Sequence, residues 1–320
     1  MVQNDDLATS HANLTDDVLV PFRIVRAGQL GRFVRLGSVV DTILSRHDYP
    51  DAVSQALAEA VVLTALLGAA LKGEGRFTLQ TRGDGAIRFL VVNYDTPSKL
   101  RGYASFDAER VKQASVDGAE SSERMLGDGH LAFTIDPGAG RERYQGIVPL
   151  AGETLADAVH TYFRQSEQLP TYVRVSVGRE RTPALPGDTV KAGWRWRASG
   201  LLVQHVPKLG GVPPSPAGDD DTIFGEDDDD WQRVRILAAT AEDHELLDPM
   251  LTPHRLLYRL FHEDGVIAEP DVAMSSECSC SRDRVGAVIE SFKPSELDDM
   301  REPDGRIRIR CEFCAVDYWF

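Results

Sequence analysis

Short alternating apolar runs open the chain, and longer runs at helical spacing follow. Leu19-Val20-Pro21-Phe22-Arg23-Ile24 and Gly31-Arg32-Phe33-Val34-Arg35-Leu36 are rich in apolar and β-branched residues and separated by Gly28, which predicts two strands within 18–36. Pro50 then opens a strong helix. Val53, Ala56, Leu57, Ala60, Leu63, Leu67, Ala70 and Leu71 repeat at helical spacing before Gly73 stops it, the mark of a core helix. Segments 76–81 and 87–93 flank Gly83-Asp84-Gly85, and segments 131–136 and 144–150 flank Gly138-Ala139-Gly140. Both patterns read as hairpins. Neither glycine group precedes a helix or has dinucleotide spacing, so a phosphate-cradling loop is not indicated. A further helix is predicted over 155–166, and further strands over 172–177 and 200–205. Helices and strands mix without regular alternation, so the fold class is α+β, with a core domain over 18–212.

The pattern breaks at Gly210-Gly211-Val212-Pro213-Pro214-Ser215-Pro216, which runs into Asp219-Asp220-Asp221 and Glu226-Asp227-Asp228-Asp229-Asp230. Like charges this dense repel one another and stay hydrated, so 213–230 reads as an acidic disordered insert. It lacks the ligand spacing and turn glycine of a calcium loop. Two helices are signalled after Trp231. Thr240 is placed to cap the first, with Glu242 and Asp243 in its opening turn. Thr252 is placed to cap the second, with Pro253 at its first position. Leu256, Leu257, Leu260 and Phe261 form one apolar stripe that Gly265 ends. Residues 231–270 thus form a helical linker to a small domain over 271–320, and 1–17 form a polar, acidic, disordered tail.

Composition narrows the function. A chain of 320 residues with 42% hydrophobic content can bury a sizeable core, and its length favours two domains. The net charge of -15 repels phosphate backbones, so nucleic acid is not expected as a general partner. The tail lacks a basic stretch followed by an apolar run, so it does not read as a secretory signal. The longest apolar stretch, 61–71, is too short to span a bilayer, so no membrane partner is expected. A cytoplasmic location follows, where thiols stay reduced.

All four cysteines lie in the last 43 residues, as Cys278-Ser279-Cys280, thirty intervening residues, and Cys311-Glu312-Phe313-Cys314. In a reducing compartment such clustering points to metal or redox chemistry. Four thiolates complete a tetrahedral shell for zinc, and a closed shell leaves no position for a catalytic water. The one-residue spacer between Cys278 and Cys280 departs from the common zinc-ribbon pattern. Around the cysteines, Ser281 is placed to cap a helix through Val285, Val288 and Ile289. Asp304-Gly305 signals a turn, and Arg306-Ile307-Arg308-Ile309-Arg310 alternates as a strand delivering Cys311. A unit of about 50 residues has too little core to stand without its metal. Arg282, Arg284, Arg308 and Arg310 lie near the thiols in sequence and favour thiolate, the form that oxidants attack. From these residues, a static structural zinc and an oxidant-triggered switch both remain open.

The sequence resembles the heat shock protein 33 family of bacterial redox-regulated chaperones from about Val18 to Phe320. The resemblance is carried by the cysteine pattern, with Glu296-Leu297, Met300, Gly305, Tyr318 and Phe320 around it. It is also carried by Thr78-Leu79-Gln80, Leu100-Arg101-Gly102-Tyr103-Ala104, Tyr144-Gln145-Gly146-Ile147-Val148, and the run from Tyr162-Phe163-Arg164-Gln165-Ser166 to Glu167-Gln168-Leu169-Pro170-Thr171. The resemblance implies that Cys278, Cys280, Cys311 and Cys314 bind zinc in a reduced, inactive form. It implies that oxidation pairs Cys278 with Cys280 and Cys311 with Cys314, that zinc leaves, and that the linker and C-terminal domain unfold. The active form then holds unfolding client proteins without ATP and tends to form a homodimer. No enzymatic activity is implied. The sequence departs from the family in its longer acidic insert and tail, and in Ser199 where a glycine beside Gly200 is expected.

Two other readings compete. Cys311-Glu312-Phe313-Cys314 could be the motif of a thiol–disulfide oxidoreductase, but that motif normally opens a helix in a βαβ unit, and here it ends a strand. Arg306, Arg308 and Arg310 could mark a zinc-ribbon nucleic-acid module, which the overall charge opposes.

Overall fold

The computed structural model describes residues 16–138, 141–152, 154–182, 193–206, 225–226 and 228–320. The tail up to residue 15, most of the acidic insert and the Ala139-Gly140 turn lie outside the described residues. The first elements are β1 (Val18–Ile24), β2 (Gln29–Leu36), α1 (Ser38–Ser45) and α2 (Asp51–Gly68). There follow β3 (Arg76–Gly83), β4 (Ile87–Asp95), β5 (Lys99–Phe106), α3 (Ala108–Val116), α4 (Ser122–Leu126), β6 (Asp128–Asp136) and β7 (Tyr144–Ala151). Next come α5 (Leu155–Tyr162), β8 (Thr171–Thr182), β9 (Gly193–Gln204), α6 (Asp229–Ala239), α7 (Asp243–Leu247) and α8 (Pro253–Phe261). The chain ends with β10 (Val266–Ala268), β11 (Val272–Ala273), α9 (Arg282–Ile289), α10 (Pro294–Asp299), β12 (Arg308–Arg310) and β13 (Asp317–Trp319). The fold is α+β.

Two antiparallel sheets clasp one helix. The first has the order β10-β1-β2-β9-β8, with β11 also on β1; the second has the order β5-β4-β3-β6-β7. Helix α2 lies between them with Val53, Leu57, Val61, Val62 and Leu66 fully buried. A helix walled on both sides must be apolar all round, so burial extends beyond the single stripe read from the sequence. By length and composition α2 could cross a membrane, but 83% of it is buried inside the fold, which marks it as the core helix. It ends at Gly68, before Gly73, where the bonds tighten to three-residue steps: Ala70 N–H donates to the Leu67 carbonyl (3.1 Å) and Leu71 N–H to the Gly68 carbonyl (3.0 Å). Gly200 of β9 faces α2 closely enough that an added Cβ would lie 2.5 Å from Val62. Beside it, the buried Ser199 donates to the Val34 carbonyl at 2.8 Å, so the departure from glycine is accommodated.

The first sheet is buried on its other face too. Val18, Val20 and Phe22 of β1, with Leu201 and Val203 of β9, pack against Trp231, Leu256, Leu257, Leu260 and Phe261 of α6 and α8. Phe22 and Phe261 stack with centroids 5.8 Å apart. Two core arginines hold the short α7 between these helices. Arg35, fully buried, donates to the carbonyls of Glu245 (3.0 Å), Leu246 (2.7 Å) and Leu251 (2.5 Å), and Arg197 to that of Leu247 (2.9 Å). Burial brings the Arg35 guanidinium down to about 10.

Three local expectations need correction. Asp228, Asp229 and Asp230, read as part of the disordered insert, begin α6. Asp228 caps it by accepting from the N–H groups of Asp230 and Trp231, and carboxylates suit a helix N-terminus. Thr240 closes α6, while Glu242 caps α7. The predicted 155–166 helix is α at first, but 163–167 widens to a π turn that ends at Gln168 with φ +52. Thr252 caps α8 as expected, accepting from the Arg255 N–H, and Gly265 turns the chain beyond it at φ +72.

Candidate metal centre

The two cysteine pairs reach one place by different routes. Cys278 and Cys280 lie on the extended segment before α9, whose N-cap is Ser281, accepting from the Arg284 N–H. Cys311 follows β12, which pairs with β13, and a tight turn returns the chain. Ala315 N–H donates to the Cys311 carbonyl (2.8 Å), Cys311 N–H donates to the Val316 carbonyl (2.9 Å), and Ala315 has φ +56. The four Sγ atoms all lie within 4.8 Å of one another. Cys278 is 3.8 Å from Cys311 and Cys280 is 3.3 Å from Cys314. These are free thiols. A tetrahedron of sulfurs about 2.3 Å from zinc has edges of about 3.8 Å, so the spacing suits that ion.

The protonation pattern points the same way. Burial opposes ionisation of Cys278, but hydrogen bonding from Cys280, Arg101 and Cys314 outweighs it and brings the thiol down to about 7. At Cys311 and Cys314 burial dominates and pushes the thiols up. Tyr318 donates to Cys280 Sγ at 3.1 Å, and that bond pushes its own hydroxyl up to about 12. The Cys278 thiolate forms readily, while Cys311 and Cys314 resist joining it. Four thiolates so close need a central cation, and a soft divalent ion fits the donor set.

The cysteine unit is docked on the core. Ser275 exchanges backbone bonds with Ser98 and Leu100 at the start of β5 (3.0 and 2.8 Å). Arg46 donates to the Ser276 carbonyl (2.7 Å) and His47 Nε2 to the Glu312 carbonyl (2.7 Å), while Lys99 pairs with Glu277 at 2.5 Å. Of the guanidinium groups in the described residues, it is that of Arg101 in β5 that meets a cysteine sulfur. Of the arginines nearest the cysteines in sequence, Arg282 stacks on Phe320, Arg284 donates to the Ser279 carbonyl and Arg308 pairs with Asp317. Nothing in the local pattern ties Arg101 to residue 278. Its one signal was the Leu100-Arg101-Gly102-Tyr103-Ala104 motif.

Comparison with known proteins places the chain. A family model described as Hsp33 protein matches residues 17–320. The 33 kDa chaperonin of Caulobacter vibrioides is 43% identical over 304 residues, covering 95% of this chain and 94% of the relative. The 33 kDa chaperonin of Pectobacterium carotovorum is 34% identical over 290 residues, covering 91% and 88%. In fold, the crystal structure of the Thermotoga maritima 33 kDa chaperonin, a heat shock protein 33 homolog, superposes with a TM-score of 0.72 at 22% identity, covering 95% and 94%. With this match along nearly its whole length and a four-cysteine cluster at its end, the chain belongs to the Hsp33 family of chaperones.

Proposed function

We propose that the chain is a redox-switched, ATP-independent holdase, inactive while Cys278, Cys280, Cys311 and Cys314 hold zinc and active once they are oxidised. The observation that carries this reading is a four-sulfur cluster in a unit with almost no core. Among the described residues of 276–320, Ile289 and Ile307 are the only buried side chains. Zinc bound to thiolates contributes roughly 10–16 kcal/mol in small structural sites, so metal and fold form one equilibrium here.

Oxidation acts on the ligands themselves. Two thiolates give up two electrons as they form a disulfide, Cys278 with Cys280 or Cys311 with Cys314. Hydrogen peroxide accepts those electrons and, with two protons, yields two molecules of water. Sulfurs joined in this way have lost the charge that holds a cation, and the small domain loses its support. The disturbance has a short path to the linker. The segment leading to Cys278 contains β10 and β11, both paired with β1, and Ser275, bridged to Lys99 of β5. Loosening it would free α6 and α8, exposing their apolar stripes and the sheet face carrying Val18, Val20 and Phe22. Such a surface suits unfolding client chains. The oxidised form is read as dimerising, and the protein as working in the cytoplasm, where its thiols start reduced.

The closed set of four sulfurs offers no open coordination position, which supports a chaperone without catalytic turnover. Cys311 and Cys314 occupy the turn between β12 and β13 rather than a helix N-terminus, so they lack the helix end that typically activates an oxidoreductase thiol. The decisive experiment compares reduced and peroxide-treated protein in an aggregation assay with zinc content measured in parallel. Activity that appears only with zinc loss supports the switch. Equal activity in both samples would refute it.

A further inference from the structure

The core contributes a side chain to the cysteine cluster, and that side chain is fixed from three sides. Arg101 stands on β5 directly opposite Asn93 of β4. With the Asn93 amide nitrogen donating to Thr78 Oγ1 at 3.1 Å, its carbonyl accepts from Arg101 Nη2 at 2.8 Å and Nε at 3.1 Å. Asn93 is itself only 6% exposed. The guanidinium carbon lies over the Phe313 ring, 4.2 Å from its centroid. The remaining edge points Nη1 at Cys278 Sγ, 3.8 Å away.

This arrangement uses what is particular to arginine: a planar, permanently charged fork that can stack and donate at once. Phe313 lies between Cys311 and Cys314 in the chain. One guanidinium therefore grips both halves of the cysteine set, Cys278 through its sulfur and the 311–314 turn through the ring between them. Four thiolates around a divalent ion carry a net charge of about −2, so a fixed cation at the rim complements the loaded site. The other docking contacts differ. His47 and Arg46 meet backbone carbonyls, and Lys99 meets Glu277, with no sulfur involved.

We propose that Arg101 is a positioning residue for the metal centre, through which the core sheet clamps both cysteine pairs and slows loss of the metal. How readily the switch opens is then set partly by the core and not by the four thiols alone. The proposal rests on the zinc reading above and adds that the site is completed from outside its own domain.

The test uses full-length reduced protein loaded with zinc. Transfer of the metal to excess chromophoric chelator is timed for the parent and for Arg101→Ala, Arg101→Lys and Lys99→Ala. Cobalt-substituted samples report the sulfur environment through their charge-transfer absorption. Loss of an outer partner of a metal ligand costs roughly tenfold or more in metal affinity, so Arg101→Ala should release its metal about tenfold faster, with a shifted cobalt spectrum. Arg101→Lys keeps the charge but loses the fork and the stack, and should fall between. Lys99→Ala removes an exposed pair and should stay within about twofold of the parent. Parent-like release and spectra for both Arg101 variants would overturn the proposal and leave the zinc switch standing. Equal acceleration by Arg101→Ala and Lys99→Ala would also overturn it, by assigning the effect to docking in general. If Arg101→Ala purifies without metal, Arg101→Lys decides: release at the parental rate sinks the proposal. Parent protein free of zinc would refute the underlying reading and the proposal together.

Discussion

Four thiols within 4.8 Å of one another, one of them brought down to about 7 by its hydrogen bonds, form a set that could hold a metal ion. Elemental analysis of protein purified under reducing conditions should find one zinc per chain. Cys280→Ser or Cys314→Ser should bring that ratio close to zero; two ions in the parent, or none, would contradict the site. A second titratable residue bears on stability rather than on the switch. His160 of α5 accepts a hydrogen bond at Nε2 from the Val173 N–H at 2.9 Å, so that nitrogen must stay unprotonated. Burial lowers its pKa, and the neighbouring Asp157 only partly offsets this. A histidine held below its unfolded value contributes stability that is complete above pH of about 6.5 and drains away as the pH falls toward the folded value. Thermal melts at pH 7.5 and 5.5 should therefore show a larger loss for the parent than for His160→Gln. Equal losses would mean that His160 does not titrate on unfolding.

The linker helices bury one apolar stripe each and are held at their midpoint by charge. Arg35 of β2 satisfies three carbonyls of 245–251. Arg35→Met would leave those carbonyls buried without donors, at a cost of about 2–4 kcal/mol, while the methionine fills much of the volume. The reduced variant should then suppress client aggregation without oxidant and exchange its amide hydrogens faster over 243–261. A reduced variant that stays inactive and protected would show that the linker does not gate client binding. The α8 stripe, its Thr252 cap, Pro253 and Gly265 were all legible in the chain, because each is a local signal. The start of α6 was not. A run of carboxylates reads as a solvated coil until a helix is known to follow, and only then does Asp228 become a cap for the Asp230 and Trp231 amides.

Across the molecule, the two sheets around α2 enclose the main core, and the 276–320 unit docks on it. Removing zinc with a chelator under reducing conditions should raise hydrogen exchange over 276–320 first and over the linker next. Residues 51–68 should keep their protection. Uniform loss of protection would mean one cooperative unit, and no change over 276–320 would mean that the metal does not support the fold.

What could be read from the chain alone was local: strand alternation in 18–36, the helix after Pro50, the α+β mixture, and a cysteine clustering that points to metal or redox chemistry. Each depends on the period, caps and donor types of neighbouring residues. Other features required the chain to be folded back on itself. The second buried face of α2 exists because a sheet lies on either side of it. The hold on the linker comes from Arg35, 210 residues before the Glu245 carbonyl that it meets, and the cation at Cys278 comes from Arg101, 177 residues before it. Pairings at that distance follow from strand register and sheet order, which bring the Arg35 side chain of β2 to the α7 carbonyls and β5 to the segment before Cys278. No local periodicity encodes that placement.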